Sequence, residues 1–167
     1  GADVAHNFAL NPSAVVGALA VWQVFTYMFL HTKVWHWVFN AIGLFLFGSM
    51  IERSRGTGWF TRFYVACGLG AAVICVAGTH AIGREKEFTL GASGAVFGLI
   101  AGAGILLPHQ PVVPFLPLRC WLFAILAACL ALYKAFDDPA GGFVHLGGAS
   151  TGLAIALATK LRPWSSE

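Results

Sequence analysis

Four polar side chains interrupt stretches that are otherwise apolar: His36, Asn40, Ser93 and His145. A serine hydroxyl is a weak nucleophile until a neighbouring imidazole takes its proton. Attack on an amide carbonyl then builds negative charge on oxygen, which needs hydrogen-bond donors already in place. His36 and Asn40 are four residues apart, so on a helix they share one face about a turn apart. Ser93 lies in Gly91-Ala92-Ser93-Gly94, near the start of a helical run, where free backbone N–H groups and the dipole favour negative charge. Its own N–H, with His36 and Asn40, makes a candidate oxyanion hole. No Asp or Glu falls in an apolar run near His145, so these residues permit a Ser–His dyad and not a triad. Each residue also has an ordinary reading. A membrane serine commonly bonds back to its own helix, a histidine commonly caps or pairs locally, and Gly-x-Ser-Gly departs from the Gly-x-Ser-x-Gly elbow because Ala95 stands in the last position. The chemistry therefore depends on whether the fold brings the four groups together.

The elements that must do so belong to a membrane. The chain has 167 residues, 58% of them hydrophobic, with ten Lys or Arg against seven Asp or Glu and a net charge of +3, and its mean hydropathy is +0.76. Soluble domains carry about 25% charged residues; this chain carries 10%. A soluble domain, a disordered tail, a coiled coil and a nucleic-acid binder are excluded, and the unbroken apolar runs exclude an outer-membrane barrel. No Lys/Arg-led start with a short apolar core reads as a signal peptide. Six stretches approach the roughly 20 apolar residues a crossing needs: Ala14–Leu30, Val34–Ile51, Phe63–His80, Phe88–Leu107, Leu118–Tyr133 and Phe143–Ala158. The first carries Gln23 and Thr26 and leaves almost no loop before the second, so it reads as an interfacial or re-entrant segment. With Val34 on the outer side, Arg53, Arg55, Arg62, Arg119, Lys160 and Arg162 fall inside, against Lys33, Arg84, Lys86 and Lys134 outside, in keeping with the positive-inside rule. His36, Asn40, Ser93 and His145 then all lie near the outer ends of their spans. Gly94, Gly98 and Gly102 in one span, and Gly148 and Gly152 in another, form small-xxx-small faces that let membrane helices approach closely. Two such helices packed together would bring Ser93 to His145. The cysteines, Cys67, Cys75, Cys120 and Cys129, lie in apolar runs without C-x-x-C spacing and are expected to be buried small hydrophobes.

Taken together, Phe29-Leu30-His31, His36-Trp37-Val38-Phe39-Asn40, Glu52-Arg53 with Gly56, Gly91-Ala92-Ser93-Gly94, and His145 with Gly148 and Gly152 resemble the rhomboid family of intramembrane serine proteases, in order and spacing from about Trp22 to Gly152. The resemblance implies an all-α transmembrane helix bundle in which Ser93 is the nucleophile and His145 the general base. His36, Asn40 and the Ser93 N–H would form the oxyanion hole. His31 would be the family's structural histidine, Gly91 and Gly94 would shape the backbone at the nucleophile, and Glu52 would join a structural polar cluster. It further implies hydrolysis of single-pass membrane proteins near the outer face, without metal or cofactor and with no nucleic-acid partner.

Three departures stand out. Trp22-Gln23 replaces the family's Trp-Arg, removing an arginine bond that supports the first loop. Phe97 replaces a tyrosine stacked beneath the catalytic histidine. Ala14–Leu30 corresponds to the family's membrane-embedded first loop, so five full spans are expected and the first helix of the six-helix core is absent from this sequence. The expected organisation is an N-terminal segment and embedded loop over 1–33, a catalytic core over 34–162 and a tail over 163–167, with residues Gly1–Pro12 carrying no motif. His6, His80 and His109 read as interfacial or loop residues. The preferred location is a bacterial plasma membrane, with a mitochondrial or Golgi membrane as the alternative. A client-binding relative without proteolysis and a small transporter are the competing readings. Intact Ser93 and His145 speak against the first, and polar groups clustered at one depth speak against the second.

Overall fold

In a bilayer the backbone must satisfy its own hydrogen bonds, and the apolar runs accordingly form helices. The computed structural model of the chain describes residue 4, residues 7–115 and residues 117–161; His6, Arg162 and the tail 163–167 lie outside the described residues. Helix α3 runs Val34–Arg55, with a π-helical stretch at Leu44–Gly48. A turn at Gly56, whose φ of +81° suits glycine, reverses the chain into α4, Thr57–Ala81. Then come α5, Ser93–Leu106, α6, Cys120–Asp137, and α7, Pro139–Leu161. The break between α6 and α7 is sharp because Pro139 opens the new helix and the Asp138 carboxylate accepts from the Gly141 amide at 3.0 Å. Helices α3, α4, α6 and α7 are long and apolar enough to cross a membrane, whereas α5 has only 14 residues. The outward faces are apolar, with Trp35 72%, Phe39 69% and Phe45 71% exposed. The chain is an integral membrane protein.

Ala14–Leu30 is not a continuous helix. It breaks into α1, Pro12–Gly17, α2, Gln23–Thr26, and a 3-10 turn, Tyr27–Phe29. The arginine support missing at Gln23 is replaced by another arrangement. Gln23 is buried, its Oε1 accepts from the Asn11 amide at 3.0 Å, and its Nε2 donates to the Asn7 carbonyl at 3.3 Å. The glutamine thus holds the first segment directly against the embedded loop.

The centre of the bundle is α7, packed along α5 and α4. Gly94 and Gly98 meet Gly148 and Gly152 as their spacing predicts, whereas Gly102 faces the Phe63 ring of α4. A methyl group built on Gly98 would lie 2.9 Å from the Gly148 carbonyl oxygen, and methyls on Gly148 and Gly152 would run into the Gly94 and Gly98 carbonyls. Cys67, Cys75 and Cys120 are buried, but Cys129 is exposed. It lies on α6, where few side chains are covered, which corrects the expectation that all four thiols are buried.

Candidate active site

Helix α5 begins at Ser93 and not at Phe88, where its apolar run begins. The intervening residues are drawn into backbone pairing with the N-terminal segment. Leu10 and Thr89 exchange two N–H···O bonds of 2.9 Å, the Ser13 amide donates to the Glu85 carbonyl at 3.0 Å, and the Gly91 amide donates to the Tyr27 carbonyl at 2.8 Å. Tyr27 is itself fully buried, and its hydroxyl donates to the Gly68 carbonyl of α4 at 2.8 Å. Residues 7–13, which carry no motif, therefore help fix the loop that presents Ser93. Backbone pairing of this kind leaves no side-chain signature, and a lone apolar Leu10 or Thr89 gave no signal for it.

Fourteen residues at about 1.5 Å each span about 21 Å, less than the roughly 30 Å hydrocarbon core. At its far end α5 meets the ends of its neighbours, with Lys160 Nζ of α7 donating to the Ile105 carbonyl at 3.4 Å and the Trp121 amide of α6 donating to the Pro108 carbonyl at 3.3 Å, so its first residue lies short of the opposite ends of the longer helices. Ser93 stands there, with no side-chain cap on the helix. The first-turn amides of a helix lack intrahelical acceptors, so the Ser93 N–H is available to a developing oxyanion.

Across the glycine seam, His145 Nε2 lies 3.0 Å from Ser93 Oγ. In the neutral imidazole the hydroxyl donates and Nε2 accepts, which is the arrangement needed to withdraw the serine proton. Phe97, one turn below Ser93, stacks on the imidazole with ring centroids 4.2 Å apart and planes 9° from parallel. The ring stacks without a tyrosine hydroxyl. His145 Nδ1 is buried and has no hydrogen-bond partner among the described residues, so no carboxylate completes a triad there.

His36 and Asn40 converge on Gly91. Its φ is +118°, a region open to glycine. A methyl built on it would come 2.6 Å from His36 Cε1, 2.9 Å from His36 Nε2 and 3.5 Å from Asn40 Nδ2. Both side chains thus crowd a backbone two residues before the nucleophile. Asn40 is buried, and its Nδ2 lies 2.9 Å from His31 Nε2. His31 also meets His36 edge to face, with centroids 5.2 Å apart. His31 is part-buried, and burial together with the nearby His36 pushes it below the usual histidine range.

Gly94 is closed in by Ala71, Val144 and the Tyr27 hydroxyl. Glu52 lies apart from this cluster, near the opposite end of α3, where its backbone carbonyl accepts from Gly56 at 2.7 Å. Among the described residues no three His, Cys, Asp or Glu side chains gather to hold a metal ion. His80, in the last turn of α4 and not in a loop, pairs with Glu85 at 2.6 Å.

The arrangement has matches among known proteins. The family model for the Rhomboid domain matches residues 18–162. RHOMBOID-like protein 1 of Arabidopsis thaliana is 30% identical over 158 residues, covering 93% of this chain and 39% of that protein. Rhomboid protease AarA of Providencia stuartii is 28% identical over 162 residues, 85% of this chain and 57% of that protein. RHOMBOID-like protein 6, mitochondrial, of Arabidopsis thaliana is 28% identical over 161 residues, 94% of this chain and 50% of that protein. The chain thus spans between about two-fifths and three-fifths of the length of these relatives. With the match running from the embedded loop to the end of α7, the chain belongs to the rhomboid family.

Proposed function

We propose that this chain is a serine endopeptidase that hydrolyses peptide bonds of membrane proteins within the bilayer, with Ser93 as nucleophile and His145 as general base. The observation that carries the proposal is the 3.0 Å contact between Ser93 Oγ and His145 Nε2 at the start of a short helix packed among longer ones. Ser93 Oγ attacks the carbonyl carbon while its proton passes to Nε2. The carbonyl oxygen takes the negative charge and meets the Ser93 N–H, His36 and Asn40. Collapse of the tetrahedral intermediate breaks the C–N bond, and the proton on Nε2 goes to the leaving amine. The resulting ester is opened by water, whose proton Nε2 takes and returns to Ser93 Oγ. No metal or cofactor is needed for this sequence. Without a carboxylate bonded to Nδ1, Phe97 stacking lends the imidazolium support, since a cation over an aromatic face is attracted to it.

The reading extends to substrates and place. A nucleophile set short of the helix ends near the outer face suits single-pass membrane proteins whose chain reaches it from the bilayer. Relatives named rhomboid proteases occur in Providencia stuartii and Bacillus subtilis, and two from Arabidopsis thaliana are named mitochondrial; a bacterial plasma membrane is the preferred place, with a mitochondrial or Golgi membrane as the alternative. The test is cleavage of a transmembrane substrate in liposomes, with Ser93→Ala and His145→Ala each expected to abolish it. In parallel, a fluorophosphonate or isocoumarin probe should label Ser93 and fail to label the His145 variant. Cleavage surviving in either variant would sink the dyad. A well-folded wild type that neither cleaves nor labels would point to client binding without proteolysis.

A further inference from the structure

The 2.9 Å contact between Asn40 Nδ2 and His31 Nε2 joins two nitrogens. An amide nitrogen only donates and a neutral imidazole has one accepting nitrogen, so the bond requires Nε2 bare and the ring proton on Nδ1. Burial and the nearby His36, which lower the tendency of His31 to take up a second proton, are in keeping with that. The consequence falls on Asn40. A primary amide has two nearly equal faces of opposite chemistry, an oxygen that would repel a developing oxyanion and a nitrogen that would bind it. A single acceptor on His31 selects the nitrogen. Because Nδ2 carries two hydrogens, one engages His31 and the other remains free, on the atom that also lies 3.5 Å from a methyl position on Gly91.

We propose that His31 is a positioning residue for catalysis, holding the Asn40 amide with its nitrogen turned toward the reacting carbonyl. This goes beyond a structural role for His31, and it rests on the reading of Asn40 as an oxyanion donor. His31 itself touches neither Ser93 nor substrate. It acts only through Asn40, and a double-mutant cycle isolates that property.

The experiment measures single-turnover cleavage of a transmembrane substrate in liposomes by the wild type, His31→Ala, Asn40→Ala, the double variant and His31→Gln. Loss of one oxyanion donor costs on the order of a hundredfold in turnover, and this is the expected result for Asn40→Ala, with KM little changed. His31→Ala should lower turnover at least about tenfold, again with KM within about twofold, since a donor is misdirected and not removed. In the Asn40→Ala background the same change should cost less than about twofold. His31→Gln, whose Oε1 accepts from Nδ2, should recover most of the activity. Thermal unfolding in detergent checks that each variant folds, and 15N spectra of the histidine rings should find His31 protonated on Nδ1. If Asn40→Ala keeps its turnover, the reading of Asn40 fails and the inference falls with it. If Asn40→Ala is impaired but the His31 effect is undiminished in its background, or Nε2 carries the proton, the inference alone is overturned. Should His31→Ala fail to fold, His31→Gln and the ring spectra decide.

Discussion

Two flanks of the bundle use small residues to opposite ends. Along the α5–α7 seam glycine faces glycine, and the backbones touch through Gly94, Gly98, Gly148 and Gly152. Nine of the fourteen residues of α5 are buried, against α7 and its other neighbours. Along α6 the small residues divide: Ala124 and Ala135 approach Gly104 and Gly142 closely, whereas others border open space. Ala124, Ala127 and Ala128 line a cavity of about 490 Å³ shared with α5 and α7, and a second of about 360 Å³ separates α6 from α3. Only Cys120, Ala127 and Ala131 of α6 are buried. A small side chain gives close contact only when its opposite number is also small; otherwise it leaves space. The candidate catalytic pair lies on the close seam, so the separation of Ser93 and His145 is set by backbone contact. Helix α6 contributes no member of the pair and is held loosely.

The comparison can be broken most forcefully at the seam. Gly148→Leu drives a side chain into the Gly94 carbonyl, and overpacking against backbone should cost about 3 kcal/mol or more. Loss of cooperative unfolding in detergent, together with loss of cleavage, is expected; a variant that unfolds like the wild type would show that the seam is not tight. A smaller effect is expected at Phe97→Leu. The stacked pair is worth about 0.5–1.5 kcal/mol, so turnover should fall about two- to tenfold with the unfolding midpoint nearly unchanged. An unchanged rate would leave Phe97 as packing only. The smallest effect belongs to the loose flank. Ala128→Leu places added carbons in open space and should change stability by less than about 1 kcal/mol in either direction. A loss as large as that at Gly148 would mean that α6 is held as closely as α5.

Much of the site is legible in the residues. The spacing of His36 and Asn40 puts them on one face, and the glycine steps bring α5 and α7 together, because side-chain size and helical period are written directly in the sequence. The loop ahead of Ser93 is not legible in the same way. Phe88 and Leu90 read as a continuation of an apolar helix, yet Thr89 is tied to Leu10 by backbone hydrogen bonds that any residue pair could make. Gln23 reads as the loss of a charge, whereas its amide supplies both a donor and an acceptor to the backbone of residues 7 and 11. The exposure of Cys129 escapes for a third reason. An apolar run does not say which of its faces meets protein and which meets lipid.

The Leu10–Thr89 pairing also has a bearing on time. Its two halves stand about 80 positions apart, and closing so long a loop carries an entropic cost that delays contact until other structure brings the ends together. Leu10 emerges before Thr89 and must wait for α3 and α4 to enter the membrane before its partner exists. The ground on which Ser93 stands is thus among the later parts of the molecule to set, after the helices flanking it have been inserted. A chain halted before α7 holds Ser93 without His145, and in that sense the order of assembly keeps the candidate pair apart until the bundle is nearly complete.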